Sequence, residues 1–160
     1  MLDDPDPDLR GEALRSLGVL GDGRTTSRLI KVLRTHPNAD DRKFAAYALG
    51  NFNSPRATAA LRQVLKNTAE APDVRGEAAQ QLVYEKSAIG DLIKALGDSS
   101  TEVRFWSAYA LGEGRINRAL PELRRLTVDR SRVKGWWSVA REARWAIATI
   151  EGGWTTWQES

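Results

Sequence analysis

Arginine recurs at Arg10, Arg42, Arg75 and Arg104, at intervals of 32, 33 and 29 residues, each inside a copy of one short pattern. A guanidinium is a planar fork of donors matched to carboxylates and phosphates, so such a column either grips an anionic ligand or ties the chain to itself. Acidic residues stand close by, at Asp8, Asp41, Asp73 and Glu102. A ladder of charge-assisted hydrogen bonds between consecutive turns accounts for the column without a ligand.

Other reactive chemistry is sparse. With no cysteine and one histidine, disulfides and thiolate chemistry are excluded, and a zinc or iron site would have to rest on carboxylates. His36 precedes Pro37 and reads as an exposed turn residue. A Ser-His-Asp triad would need it as base, and no elbow motif surrounds any serine. The glycines of LGVLGDGR follow no strand and lack the lysine and threonine of a phosphate loop, so they read as turn glycines. The expectation is a chain with no catalytic residues, no cofactor and no metal.

Charge and tryptophan are both unevenly placed. The net charge is +3, and 18 of the 24 basic residues are arginine, which suits an acidic partner. Segments 24–34, 56–66, 86–96 and 115–126 carry thirteen Lys or Arg against two acidic residues, Asp91 and Glu122. Of six tryptophans, Trp136, Trp137, Trp145, Trp154 and Trp157 fall in the last 25 residues. Tryptophan serves as an interface anchor and equally as a lid over an open core end. Trp136, Trp137, Trp154 and Trp157 are therefore an expected aromatic cap or interface, with Trp154 and Trp157 folding back over the last unit.

These residues must be positioned by a repeated element. LRGEALRSL with Gly18 returns as DRKFAAYAL with Gly50, as VRGEAAQQL, and as VRFWSAYAL with Gly112. Self-similarity at this period signals stacked supersecondary units that bury a core only against one another. Each unit opens on a cap column, Asp6, Asn38 and Ser100, which Ala71 breaks in the third. Apolar positions at spacings of three and four, Leu9, Ala13, Leu14 and Leu17, mark a first helix. A glycine-bearing turn and a second amphipathic helix, each helix about 12 residues, complete a hairpin. Leu82 to Leu92 spans ten residues where Leu17 to Leu29 spans twelve, so the third unit needs a tighter turn or a shifted second helix. After a polar, basic linker, TVDRSRVKG, only the first helix of a fifth unit follows.

The expected fold is all-α: a right-handed α-solenoid of four full repeats, at about 3–34, 35–66, 67–97 and 98–128, a partial fifth at 136–151, and a tail at 152–160, in one domain. The start MLDDPDPD is acidic where a signal peptide is basic, and no apolar run reaches membrane-spanning length. A cytoplasmic location without membrane contact is the expectation.

The pattern DxDxxVRxxAAxALGxxxxxxAxxxLxxxL, carried by DPDPDLRGEALRSLG…LIKVL and SSTEVRFWSAYALGEG…LPELRRL, resembles the HEAT-like repeats first noted in phycobilisome lyases. Such repeats, which are armadillo-like, serve phycobilin lyases and chaperones, deoxyhypusine hydroxylases, DNA-binding alkylation-repair relatives and bacterial scaffolds. The hydroxylases hold a di-iron centre with His-Glu pairs, and no such pair is present here. In HEAT-type solenoids the second helices usually line the concave face, so the resemblance implies a basic groove. Its expected residues are Arg28, Lys31, Arg62, Lys94, Arg124 and Arg125. The implied function is a non-catalytic protein-binding or scaffold module for an acidic segment. The alternatives are a phycobilin (chromophore) lyase-like or chaperone subunit, whose arginines pair with tetrapyrrole propionates, and a nucleic-acid-binding module.

Overall fold

The computed structural model describes residues 4–20 and 23–152. Nine α-helices order them: α1 (Pro7–Leu20), α2 (Gly23–Thr35), α3 (Ala39–Gly50), α4 (Pro55–Lys66), α5 (Pro72–Gln81), α6 (Ile89–Ala95), α7 (Thr101–Glu113), α8 (Leu120–Leu126) and α9 (Val139–Glu151). The odd-numbered helices pack in succession as one layer, and α2, α4, α6 and α8 lie against them as a second. One hydrophobic core runs through the stack from Leu14 to Ala146, built largely of leucine and alanine. The expected all-α solenoid of hairpins is what the described residues form.

Local chemistry sets the helix starts. The Asn38 side chain accepts from the N–H groups of Asp40 and Asp41, that of Ser100 from Val103, and Asp6 from Asp8. Ala71 provides no cap, and Pro72 opens α5 instead. Ser138 caps α9 through the N–H of Arg141.

Several expectations need correction. The second helices of units three and four are seven residues long, each entered through a single 3₁₀ turn at Lys86–Ala88 or Asn117–Ala119. The chain leaves α5 and α7 through left-handed residues, Tyr84 (φ 54) and Arg115 (φ 50). After α7 this is a Schellman closure, with Ile116 N–H donating to the Leu111 carbonyl and Arg115 N–H to that of Gly112. Those turns consume residues that continue the helix in the first two units. Gly18 and Gly112 lie inside α1 and α7 rather than in turns. A Cβ on Gly18 would sit 3.1 Å from Ala48 Cα, and one on Gly112 2.8 Å from Ala146 Cα, so both let odd-layer backbones meet.

Leu9, expected in the buried stripe, is 53% exposed, because among the described residues no unit covers that side of α1. The corresponding Val74, Val103 and Val139 are each fully buried. His36 is half-buried: its Nδ1 accepts from the N–H of Asn38 at 3.3 Å and lies 3.3 Å from Asp41 Oδ2.

The arginine ladder is present, one rung between each pair of units. Arg10 bonds Asp41, Arg42 bonds Glu70, Arg75 bonds Asp98, and Arg104 bonds Asp129 and Ser131. Each carboxylate comes from the turn or helix start of the following unit, so only Asp41 among the four acids expected from sequence is a partner. Arg10, Arg42 and Arg104 also donate to two carbonyls of their own entry turn, while Arg75 donates twice to Leu65 O.

Candidate functional site

The six basic groove residues all lie on the even layer, as the helix assignment requires, but half of them are tied down. Arg62 on α4 donates through Nε to Asp91 on α6 at 2.6 Å. Arg124 donates to Glu151 on α9 at 2.7 Å, and Arg125 to Glu122 within α8 at 3.0 Å. Arg28, Lys31 and Lys94 are exposed and form no ion pair among the described residues. Gln63, in the same column, accepts from Arg34 at 2.7 Å. Part of the basic excess thus holds the stack together: Arg34 and Arg62 join successive even-layer helices, and Arg124 joins α8 to α9 of the odd layer.

A second constellation lies on the outer side of the odd layer, at α7 and α9. Trp106 and Tyr109 are three apart on α7, and Glu142 and Trp145 three apart on α9, so each pair shares a helix face. The loop after α8 completes it. This loop, expected as a plain linker, is folded: Trp136 N–H donates to Val133 O across a turn with Gly135 at φ 80, and Arg132 bridges Ser138. That positive φ two places along the turn is the type II requirement that glycine meets. Val133 is buried with Phe105 and Val139, which fixes the loop against α7.

The result is an aromatic wall. Trp136 lies edge-on to Trp106 at 5.2 Å and to Trp137 at 5.5 Å, and Tyr109 stacks on Trp145 at 5.7 Å with an interplanar angle of 11°. Phe105 backs it, 5.1 Å from Trp106. Between these rings is a cavity of about 360 Å³ that reaches Gln80 on α5 and Glu142 on α9. Trp136 is 44% exposed, while Trp106, Tyr109, Trp137 and Trp145 are half-buried. Trp136 and Trp137 thus flank the odd layer. Trp154 and Trp157 lie outside the described residues.

Two charged residues line this cavity, Arg141 and Glu142, and Glu142 is the buried one. Glu142 is 1% exposed and accepts a 2.6 Å hydrogen bond from the Trp137 indole N–H. Burial pushes its carboxyl up to about 7, opposed by the indole bond, reinforced by Glu113 and opposed again by Arg141. Burial also raises the Tyr109 phenol, with Glu113 adding to it. The Arg141 guanidinium lies over the Trp137 ring at 5.0 Å. Trp106, Tyr109 and Trp145 escape a reading that follows tryptophan count alone. Their signal was the spacing of three within two helices of neighbouring units.

Among the described residues no three His, Cys, Asp or Glu side chains gather as metal ligands, and no helix is long and apolar enough to cross a membrane.

Layered helical hairpins with inter-unit arginine rungs define a helical repeat protein. Residues 1–83 and 67–148 match the family model of HEAT repeats, and the chain belongs to that family. Among solved structures it is similar to human deoxyhypusine hydroxylase in complex with glycerol, at 22% identity and a TM-score of 0.65, over 93% of this chain and 59% of that one. It is also similar to a computationally designed armadillo repeat protein for modular peptide recognition, at 17% identity and a TM-score of 0.55, over 93% of this chain and 79% of that one. At these identities the likeness is one of fold, and the chain spans under two thirds of the hydroxylase. No curated protein matches the sequence.

Proposed function

We propose that this chain is a protein-binding module that docks a partner segment on the outer face of its odd layer. The observation that carries the reading is the aromatic wall of Trp106, Tyr109, Trp136, Trp137 and Trp145 around a cavity of about 360 Å³. Rigid, amphipathic rings at the centre of a patch are the side chains that anchor protein interfaces. The odd layer is also the closer-spaced one, since Gly18 and Gly112 bring its backbones together. Closer spacing bends a stack toward that layer, which favours a groove on the aromatic side.

A second reading keeps the even layer as the docking face, through exposed Arg28, Lys31 and Lys94. It suits an acidic protein segment, and by the same chemistry the propionates of a phycobilin, as in a lyase-like or chaperone subunit, or a nucleic-acid backbone. With Arg62, Arg124 and Arg125 held by carboxylates, it has fewer cations than the sequence count implies.

Selection from a displayed random-peptide library separates the two. Affinity of the selected segments is then compared for wild type, a Trp106→Leu/Tyr109→Leu pair and a Lys31→Glu/Lys94→Glu pair. Loss of about tenfold or more in the aromatic pair only, roughly the 1.4 kcal/mol of one good anchor, is the expected result. Loss in the charge-reversal pair only transfers the function to the even layer. Nucleic acid binding there would show a steep log–log dependence on salt.

A further inference from the structure

Resting on the protein-binding reading above, we propose that the partner segment is proline-rich and lies in a polyproline II conformation across the outer faces of α9, α7, α5 and α3.

The hydrogen-bonding capacity of the aromatic wall points to such a ligand. The Trp136 and Trp145 indoles, the Tyr109 hydroxyl and the Gln80 amide all line the cavity. These side-chain groups bond nothing among the described residues, in contrast to the Trp137 indole, which Glu142 holds. Among the described residues only Ser107 Oγ is sealed from solvent without a partner, so the polar atoms of Gln80, Tyr109 and Trp145 are reachable from solvent. An indole only donates, and the cavity's one carboxylate is already engaged, so the wall offers more donors than acceptors. Its complement is a chain with free carbonyls and few N–H groups. Polyproline II leaves its carbonyls unbonded and proline carries no N–H, so such a segment accepts without needing to donate. An α-helical segment arrives with its carbonyls spent on itself.

Charge agrees with an uncharged ligand. The two charged residues of the cavity are of opposite sign, and both are engaged with Trp137, Arg141 over its ring at 5.0 Å and Glu142 on its indole N–H. Apolar pyrrolidine rings can lie against the aromatic faces and leave that balance undisturbed, with no charge to desolvate.

Spacing extends the site beyond the cavity. Tyr47, Gln80, Tyr109 and Trp145 occupy one repeat position, each five residues after Arg42, Arg75, Arg104 and Ala140 in turn. They stand on α3, α5, α7 and α9, which pack in succession, and Tyr47 is 45% exposed. Packed helices lie about 8–10 Å apart. One polyproline II turn of three residues rises about 9.3 Å, so every third residue of the segment meets the next member of the row. A β-strand returns to the same face after about 6.8 Å and falls out of step.

The probe is acetyl-decaproline amide, about 31 Å long and able to cross all three gaps of the row. Acetyl-tetraproline amide, which covers about one gap, and a glycine–serine decapeptide are the controls, all titrated against the tryptophan indole N–H resonances. Decaproline should bind on the order of 0.1–1 mM, and the flexible glycine–serine chain at least about tenfold more weakly. Its affinity should change less than about twofold between roughly 50 and 500 mM salt. The Trp136 and Trp145 indole protons should move more than that of Trp137, whose acceptor is already in place. Tyr109→Phe keeps the ring and removes one hydroxyl, and should weaken decaproline about three- to tenfold. Tyr47→Ala, at the exposed far end of the row, should weaken decaproline by about threefold or more and leave tetraproline unchanged. The wild-type comparison of peptides needs no variant, so it holds even where a substitution disturbs the fold. No response to decaproline at about 10 mM overturns the proposal. So does equal affinity for the glycine–serine peptide, or decaproline binding unchanged in both Tyr109→Phe and Tyr47→Ala. Display-selected segments that lack proline yet lose affinity in Trp106→Leu/Tyr109→Leu would uphold the docking face while refuting its proline preference.

Discussion

Arg75 is the most enclosed of the ladder arginines, with 5% of its side chain exposed, and it satisfies both Asp98 and the Leu65 carbonyl. Replacing it by methionine keeps much of the stem packing but leaves two acceptors short of donors, Asp98 retaining only the Ser100 N–H. A loss of about 2–4 kcal/mol is expected by urea denaturation, since breaking a mostly buried pair exposes the desolvation cost of the survivor. Arg124, whose side chain is 62% exposed in its pair with Glu151, should tolerate alanine within about 0.5 kcal/mol. The opposite sign is expected at Ser107. Its hydroxyl is fully buried with no hydrogen-bond partner among the described residues, and the same repeat position holds Ala13, Ala45, Ala78 and Ala143. Ser107→Ala should raise stability by about 1 kcal/mol in the same assay. The arginine column was legible in the sequence because a periodic charge beside a periodic apolar position needs a periodic partner. Its true partners were hidden because the acids sit at varying offsets in turns of varying length: Glu70 is five residues before Arg75, and Asp98 six before Arg104.

At the scale of the helix, glycine divides the two layers. Gly112→Ala places a methyl group 2.8 Å from Ala146 Cα and forces α7 from α9, at a cost of about 1–3 kcal/mol. Gly90→Ala on α6 meets nothing within 4 Å and should gain about 0.5–1 kcal/mol from helix propensity alone. Thermal denaturation of the two variants tests the layer assignment: equal effects would mean that α7 and α9 do not meet at Gly112. Because α7 and α9 also carry the aromatic wall, Gly112→Ala should blue- or red-shift tryptophan emission where Gly90→Ala leaves it unchanged. Helix starts and core faces could be read from caps and from three-four spacing. The shortened α6 and α8 could not, because Tyr84 and Arg115 adopt a left-handed conformation that their residue types do not advertise. Nor could the folded loop before α9, where only Gly135 hinted at a turn.

For the whole molecule, two groups of carboxyls titrate in opposite senses. Burial pushes up Glu70, Asp98 and Asp129, but hydrogen bonds and charge from their ladder arginines and neighbouring groups outweigh it and hold all three below the usual carboxylate range. Their contribution is present above the unfolded-state value and is lost as pH falls through the lowered folded value. Glu142, raised to about 7 by burial, and Glu77 and Glu102, raised by the same cause, hold protons that the unfolded chain has already released. Their effect runs the other way, and stability declines as pH rises from the unfolded value near 4.5 toward 7. Unfolding free energy measured by urea titration should therefore be greatest under mildly acidic conditions. Glu142→Gln should remove roughly 2–3 kcal/mol of the decline between pH 5 and 8, and an unaltered profile would place the carboxyl in contact with water. The repeat fold was legible from the period alone, because a repeat writes its fold several times over; the site was not, because it departs from the repeat. The ladder also bears on how such a chain lengthens. Each of the second, third and fourth units carries an acid that receives the unit before it and an arginine that reaches the unit after it, through Asp41 and Arg42, Glu70 and Arg75, Asp98 and Arg104. A tandem copy of any one of them therefore arrives with both halves of its junction already made, so duplication within the array needs no compensating mutation. A copy spliced in after α9 inherits no such fit, because Ala140 stands where the arginine belongs, and growth by duplication is favoured from within.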